Sequence, residues 1–268
     1  MRMNGCVLVV AALLASPARA QNADAVRGGW MADAGGVRHI YMLTVRGAIV
    51  TGTYCTDCRN VDALAFIENG RFEGDGLRFD VHNPGPAAYT DTVTARLVDG
   101  ELRITRQRRG SSAAPITMAL RRSTSAQPKP PPPAPGTPPA PPAYVPPGPA
   151  EALSPARVVG LWLRGEGPGK QHFMFKQAGA QILGLGCGPC DDPNYMAPLD
   201  RISIDGTTLR FSIVHENNAP AFSDKGPFSN DVRAAIARHE MHWWVVPSYE
   251  AAGFKPLEIT MLGPIKEP

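Results

Sequence analysis

The chain has 268 residues, with 28 Pro and 27 Gly set against 27 basic and 24 acidic side chains. So turn-rich a composition excludes a single helical domain, a coiled coil and a polytopic membrane protein, while 43% apolar residues suffice for one large core or two small ones. A formal net charge of +3 gives no nucleic-acid footprint.

Arg2 precedes the apolar run 6–15, and Pro17 and Ala18-Arg19-Ala20 follow it, a pattern that predicts a secretory signal peptide over 1–20 with cleavage after Ala20. Cys6 stands at the start of the run, away from a lipidation position. The run is too short to span a bilayer, and no later apolar stretch offers an integral membrane anchor. Loss of Arg2 and Arg19 leaves 25 basic and 24 acidic groups, so the basic pI of 8.6 belongs largely to the leader. The expected locale is periplasmic or secreted, and nucleic acid is not an expected partner. Arg106, Arg108, Arg109, Arg121 and Arg122 form the one local basic cluster, which a solvated face explains more simply than an anionic partner.

From Pro128 to Pro149 thirteen residues are Pro. Such a stretch favours extended polyproline II and reads as a semi-rigid spacer. The expected organisation is therefore a signal peptide 1–20, a first repeat 21–122, a Pro-rich linker 123–155 and a second repeat 156–268.

The two repeats align at an offset of 132 without a gap, and fifteen of the fifty-four positions from Val26 to Phe79 are identical. Trp30 matches Trp162, Met42 matches Met174, Gly52 matches Gly184, Cys55 and Cys58 match Cys187 and Cys190, and Leu77-Arg78-Phe79 matches Leu209-Arg210-Phe211. Farther on, Leu97 aligns with Ile236 and Glu101 with Glu240. This is a tandem duplication. Each unit shows short period-2 runs separated by Gly turns. Strands are predicted after the opening Gly-x-Trp, around Tyr41 to Val45, at 48–55, 76–82, 92–98, 101–106 and 115–120. The second copy repeats the last four at 208–215, 232–238, 240–246 and 257–262. Seven or eight antiparallel strands in series suit a small closed barrel, which leaves no free edge. The fold class is all-β, a tandem pair of up-and-down barrels.

Gly28-Gly29-Trp30 and Gly160-Leu161-Trp162 each open a meander. This G-x-W pattern resembles the calycin superfamily, the lipocalin-like and avidin-like barrels. The resemblance implies a small apolar ligand held inside the barrel, and enzymatic activity in a few members.

Cys55-Thr-Asp-Cys58 and Cys187-Gly-Pro-Cys190 are four cysteines in an exported chain, and the duplication favours one disulfide within each copy. Zinc becomes an option if the thiols stay reduced, with imidazoles completing the ligand set. No other cofactor is predicted. Cys187-Gly-Pro-Cys190 copies the thioredoxin string, yet Asp191-Asp192-Pro193 and the absence of a following helix oppose a low thiol pKa.

The second copy holds the surplus of chemically versatile side chains: His172, His215-Glu216, His239-Glu240-Met241-His242 and Trp243-Trp244. His215 shares strand parity with Leu209, Phe211 and Ile213, so it is expected to face inward as a core histidine or a general base. His239 and His242, three apart on a strand, should face opposite sides. Arg78 and Arg210 occur in both copies and read as structural, paired with Glu73 or Asp205.

Three functions are open. The first is binding of a small, partly apolar ligand between walls formed by Trp30, Tyr41, Trp162, Phe173, Phe175 and Trp243. The second is a lyase, isomerase or hydrolase using His215, Glu216, His239, Glu240 and His242 as acid and base. The third is a cell-envelope adaptor. Whether the repeats pack on each other is also open.

Overall fold

The structure is a computed structural model and describes residues 23–85, 87–123, 151–167, 170–215, 228–247 and 257–265. The expected signal peptide, most of the Pro-rich linker and Glu216 lie outside the described residues. The protein is all-β, with two eight-stranded antiparallel barrels in tandem. The first contains β1 (Gly28–Ala34), β2 (Val37–Arg46), β3 (Ile49–Cys55), β4 (Ala65–Glu73), β5 (Gly76–Asn83), β6 (Tyr89–Val98), β7 (Glu101–Arg108) and β8 (Ile116–Leu120). The second repeats them as β9 (Gly160–Arg164), β10 (Gln171–Ala178), β11 (Gln181–Cys187), β12 (Met196–Asp205), β13 (Thr208–His215), β14 (Phe228–Ala237), β15 (Glu240–Pro247) and β16 (Leu257–Ile265). Strands pair in chain order, the up-and-down meander that the alternation predicts.

Closure differs between the copies. β1 meets β8 through one bridge, in which Met31 and Arg121 exchange two backbone hydrogen bonds of 2.8 Å. β16 pairs with β9 at Leu262↔Leu163 and Ile265↔Leu161, with an irregularity between them. Each entrance is stapled identically: a helical turn at 23–26 or Pro155–Val158 offers a carbonyl to the tryptophan of the next strand. Trp30 Nε1 donates to Val26 O and Trp162 Nε1 to Val158 O, both at 2.8 Å. A buried indole needs such an acceptor, and the local chain supplies it. Residues just before that turn already belong to the second barrel, since Leu153 N bonds Gly206 O at 2.9 Å and its side chain packs on that core.

β4 and β12 are the strands that the alternation did not reveal. Both are bulged, with register shifts between Glu68 and Arg71 and between Asp200 and Ser203, and the bulge residues Asn69 and Arg201 have φ of 54°. A bulge puts two residues opposite one and breaks the period of two. The bulges are braced by equivalent positions carrying exchanged chemistry. Asp80 accepts from Asn69 (3.0 Å), Thr92 (3.3 Å) and Arg109 (2.7 Å), whereas Arg201 donates to Ser212 (2.6 Å) and Asp231 (3.0 Å). Arg210 pairs with Asp205 as expected, while in the first copy Glu73 is taken by Arg71.

Each barrel has its own apolar core, and a third apolar cluster joins them. The joint uses the outward parity of β2, β3, β10 and β11: Ile40 and Met42 alternate with the inward Tyr41 and Leu43, and Met174 alternates with Phe173 and Phe175. Met42 and Met174, Cys55 and Cys187, Cys58 and Cys190, and Leu64 and Met196 are duplicate positions that all lie in this cluster. The barrels therefore meet through equivalent faces, the arrangement of an isologous dimer within one chain. Arg46 and Asp200 add an ion pair across the joint. Lys176, absent from the first copy where Thr44 stands, donates to Asp62 O and Leu64 O at 2.9 Å and to Asn83 Oδ1 at 2.7 Å.

Candidate functional site at the rim of the first barrel

In a meander, alternate strand ends share one rim, so the start of β2, the end of β3, the start of β6 and the end of β7 come together. This rim gathers His39, Tyr54, Tyr89, Asp91, Arg106 and Arg108, with Tyr41 below them. Tyr41 and Tyr54 are cross-strand partners, with ring centroids 4.6 Å apart. The guanidinium of Arg106 lies 4.4 Å from the Tyr54 ring centroid and 5.6 Å from that of Tyr89, and Arg108 lies 4.0 Å from Tyr89. Stacking of this kind orients a cation and leaves its edge donors available.

Charge is out of balance here. Asp91, 2% exposed, pairs with both Arg106 and Arg108, so one carboxylate faces two guanidinium groups. Burial opposes the Arg106 charge, but Tyr41, Tyr54 and Asp91 hold its pKa above the ordinary value. Burial raises the Tyr41 and Tyr54 pKa values, with Arg106 acting in the opposite direction, so both phenols stay protonated at neutral pH. The Tyr54 hydroxyl is 2.8 Å from His39 Nδ1, and burial together with the Arg106 charge lowers the His39 pKa. The imidazole is thus neutral and its Nδ1 can accept the phenolic proton. The buried Tyr41 hydroxyl faces the Arg106 guanidinium, which acts on it through its charge and its side-chain N–H. A stacked cation in excess beside the partly exposed Tyr89 ring suits an anionic group attached to a flat or apolar body.

The second barrel lacks all of this. At the positions of Tyr41, Tyr54, Asp91, Arg106 and Arg108 it has Phe173, Gly186, Asn230, Val245 and Pro247. A Cβ on Gly186 would lie 2.8 Å from the Phe173 ring, which fills the space that Tyr54 occupies in the first copy. Trp243 packs edge-on against Phe173 at 4.6 Å and Phe211 at 4.7 Å.

The six aromatic residues expected as ligand walls are core side chains. Trp30, Tyr41, Trp162, Phe175 and Trp243 are at most 1% exposed and Phe173 is 8% exposed. A side chain without accessible surface borders no void that admits even a water, so these rings fill the barrels.

The expected acid–base set is not assembled. His215 pairs with Phe228 at the start of β14, whereas Glu240 pairs with Ala237 at its end. Nine residues of strand separate these points, roughly 30 Å at about 3.3 Å per residue. His239 lies exposed in the turn beside Glu240, and His242 bonds Glu240 (3.1 Å) and Thr260 (3.2 Å) two residues along β15. His215 sits at the other rim, where Asn230 is 3.4 Å from its Nε2 and burial lowers its pKa to about 4. Groups so far apart cannot share one substrate. Trp243 points inward and Trp244 is half-exposed, as strand parity requires.

The cysteines pair within each copy as the duplication suggests, Cys55 with Cys58 and Cys187 with Cys190, at Cα separations of 5.2 and 5.1 Å. Both bridges lie in the joint, where Cys187 Sγ is 3.4 Å from the Cys58 carbonyl oxygen.

The rim site was legible in one respect. Arg106 shares parity with Leu102 and Ile104 on a strand whose inward positions are otherwise apolar, and an inward arginine requires partners. Reading it as part of a surface cluster missed this. Comparison with protein-family models, curated proteins and solved structures finds no match to this chain.

Proposed function

We propose that this is an exported binding protein whose first barrel holds a small ligand with an anionic group and an apolar or aromatic body at its rim. The observation that carries this reading is the pair of tyrosine-stacked guanidinium groups, Arg106 and Arg108, sharing the single buried carboxylate of Asp91. The anion neutralises the second guanidinium, its body lies against the partly exposed Tyr89 ring, and the buried Tyr54, whose hydroxyl bonds His39, backs the Arg106 guanidinium. The calycin resemblance supports a ligand at a barrel, and the barrel architecture agrees with it. Two cysteine pairs fit an oxidising compartment, and among the described residues no helix is long and apolar enough to cross a membrane. The second barrel acts as a packed support for the first.

Titration with 1-anilinonaphthalene-8-sulfonate, an anionic aromatic probe, tests the reading. We expect saturable 1:1 binding that weakens with salt and falls at least about tenfold in Arg108→Gln, whose side chain is exposed enough for the fold to survive, because a charge-assisted contact contributes about 1.5–3 kcal/mol. Equal affinity of the wild type and Arg108→Gln would overturn it.

A further inference from the structure

We propose that Cys187, Cys190 and His172 form a zinc site that opens when the Cys187–Cys190 disulfide is reduced. Their ligand atoms already lie within 4.8 Å of one another, the one such group among the described residues. Cys190 Sγ is 3.5 Å from His172 Nδ1. In a tetrahedral site with Zn–S of about 2.3 Å and Zn–N of about 2.0 Å, the sulfur–nitrogen edge is about 3.5 Å. That edge is therefore in place before any metal arrives. The sulfur–sulfur edge has to lengthen from a bond to a non-bonded separation of about 3.8 Å, and Cys187 Sγ starts within 4.8 Å of the imidazole.

The strands explain why this trio exists once. His172 is the cross-strand partner of Cys187 in β10 and β11, and Ile40 is the partner of Cys55 in β2 and β3. The duplicated cysteine pairs are equivalent, but only the second has a ligand opposite it. Burial, then the charges of Lys170 and Arg59, lower the His172 pKa, so the imidazole is neutral and able to ligate at neutral pH. His172 is half-buried and Pro189, at the tip of the Cys187–Cys190 turn, is exposed, which leaves an approach from solvent.

The chemistry balances as follows. A dithiol gives two electrons and two protons to the Cys187–Cys190 bond and becomes a disulfide, leaving two thiols. Zinc then binds both sulfurs as thiolates with release of their two protons, takes His172 Nδ1 as third ligand, and keeps a water as fourth. Because Cys187 Sγ touches the Cys58 carbonyl oxygen, metal loading takes place at the joint between the barrels.

The full chain is reduced with a phosphine, which is oxidised to its oxide with water as oxygen source and does not compete as a thiol ligand. After addition of zinc and removal of free metal, we expect about one zinc per chain in the reduced protein and none in the oxidised protein. Cys55→Ala/Cys58→Ala should keep the metal. His172→Ile, which installs the first copy's residue, should weaken binding at least about tenfold, the scale on which even indirect supporting groups act. His172→Gln serves as a second variant if His172→Ile fails to fold, and cobalt in place of zinc should show thiolate-to-metal charge transfer in the wild type. No bound zinc, two zinc ions per chain, or unchanged affinity in a folded His172 variant would each overturn the assignment.

Discussion

Lys176 of the second barrel donates to Asn83 of the first at 2.7 Å, and the same Nζ is held by the carbonyl oxygens of Asp62 and Leu64 at 2.9 Å. This three-point contact crosses the joint and is made by a residue only 6% exposed. The duplicate position is Thr44, so it arose or survived on one side only.

Lys176→Met should destabilise the docked pair by about 1–3 kcal/mol at pH 7, the cost of leaving buried acceptors unpaired. Burial, partly offset by Asp62, lowers the Lys176 pKa from 10.5 to about 8. Between those values the unfolded chain carries the extra proton, so the lysine's contribution to stability rises as pH rises through that window. Denaturant melts of wild type and variant from pH 7 to 10.5 should show the gap widening, and a constant gap would count against the contact.

Arg106→Met should cost about 3 kcal/mol, since it removes a partner from the buried Asp91 carboxylate. Arg108 has a side chain 47% exposed, so Arg108→Met should cost less than about 1 kcal/mol. Chemical denaturation of both variants checks the order, and equal losses would mean that Asp91 does not rely on the inner arginine.

Each disulfide spans a sequence separation of only 3. Loop-closure entropy then gives about 2 kcal/mol per bridge. Replacing each pair by Ala should lower stability by that amount. Because the bridges touch across the joint, the four-alanine variant should depart from additivity by about 0.5 kcal/mol or more. Strict additivity in thermal melts would show that the two bridges act independently.

His215 is depressed by burial from 6.5 to about 4, so the unfolded state binds the extra proton between those values. Its contribution is intact above pH 6.5 and is lost as pH falls towards 4. His215→Asn should flatten the acid limb of the stability profile, and an unchanged limb would assign acid sensitivity to other groups.

Strand parity and the offset of 132 made much of the architecture readable from residues alone. β13 falls at the expected 208–215, and the inward and outward sides of Tyr41, Met42 and Trp243 follow from the period of two. The bulged strands β4 and β12 escaped because an extra residue erases that period. An excess of histidines drew the expected acid–base residues to the second copy, but His215 and His239 stand at opposite ends of one barrel. The first copy instead gathers its chemistry from ordinary residue types, Tyr and Arg, that carry no motif.

The sequence by itself determined the duplication, the all-β class and the tryptophan that opens each barrel, and it favoured pairing of cysteines within each copy, because these depend on local period and short separations. Only the tertiary structure decided that the copies join through equivalent faces, that Lys176 crosses that joint, and that one carboxylate, Asp91, pairs with two arginines. Those relationships depend on which strand ends share a rim and which outer faces meet, a consequence of barrel closure and sheet stacking that no single strand encodes.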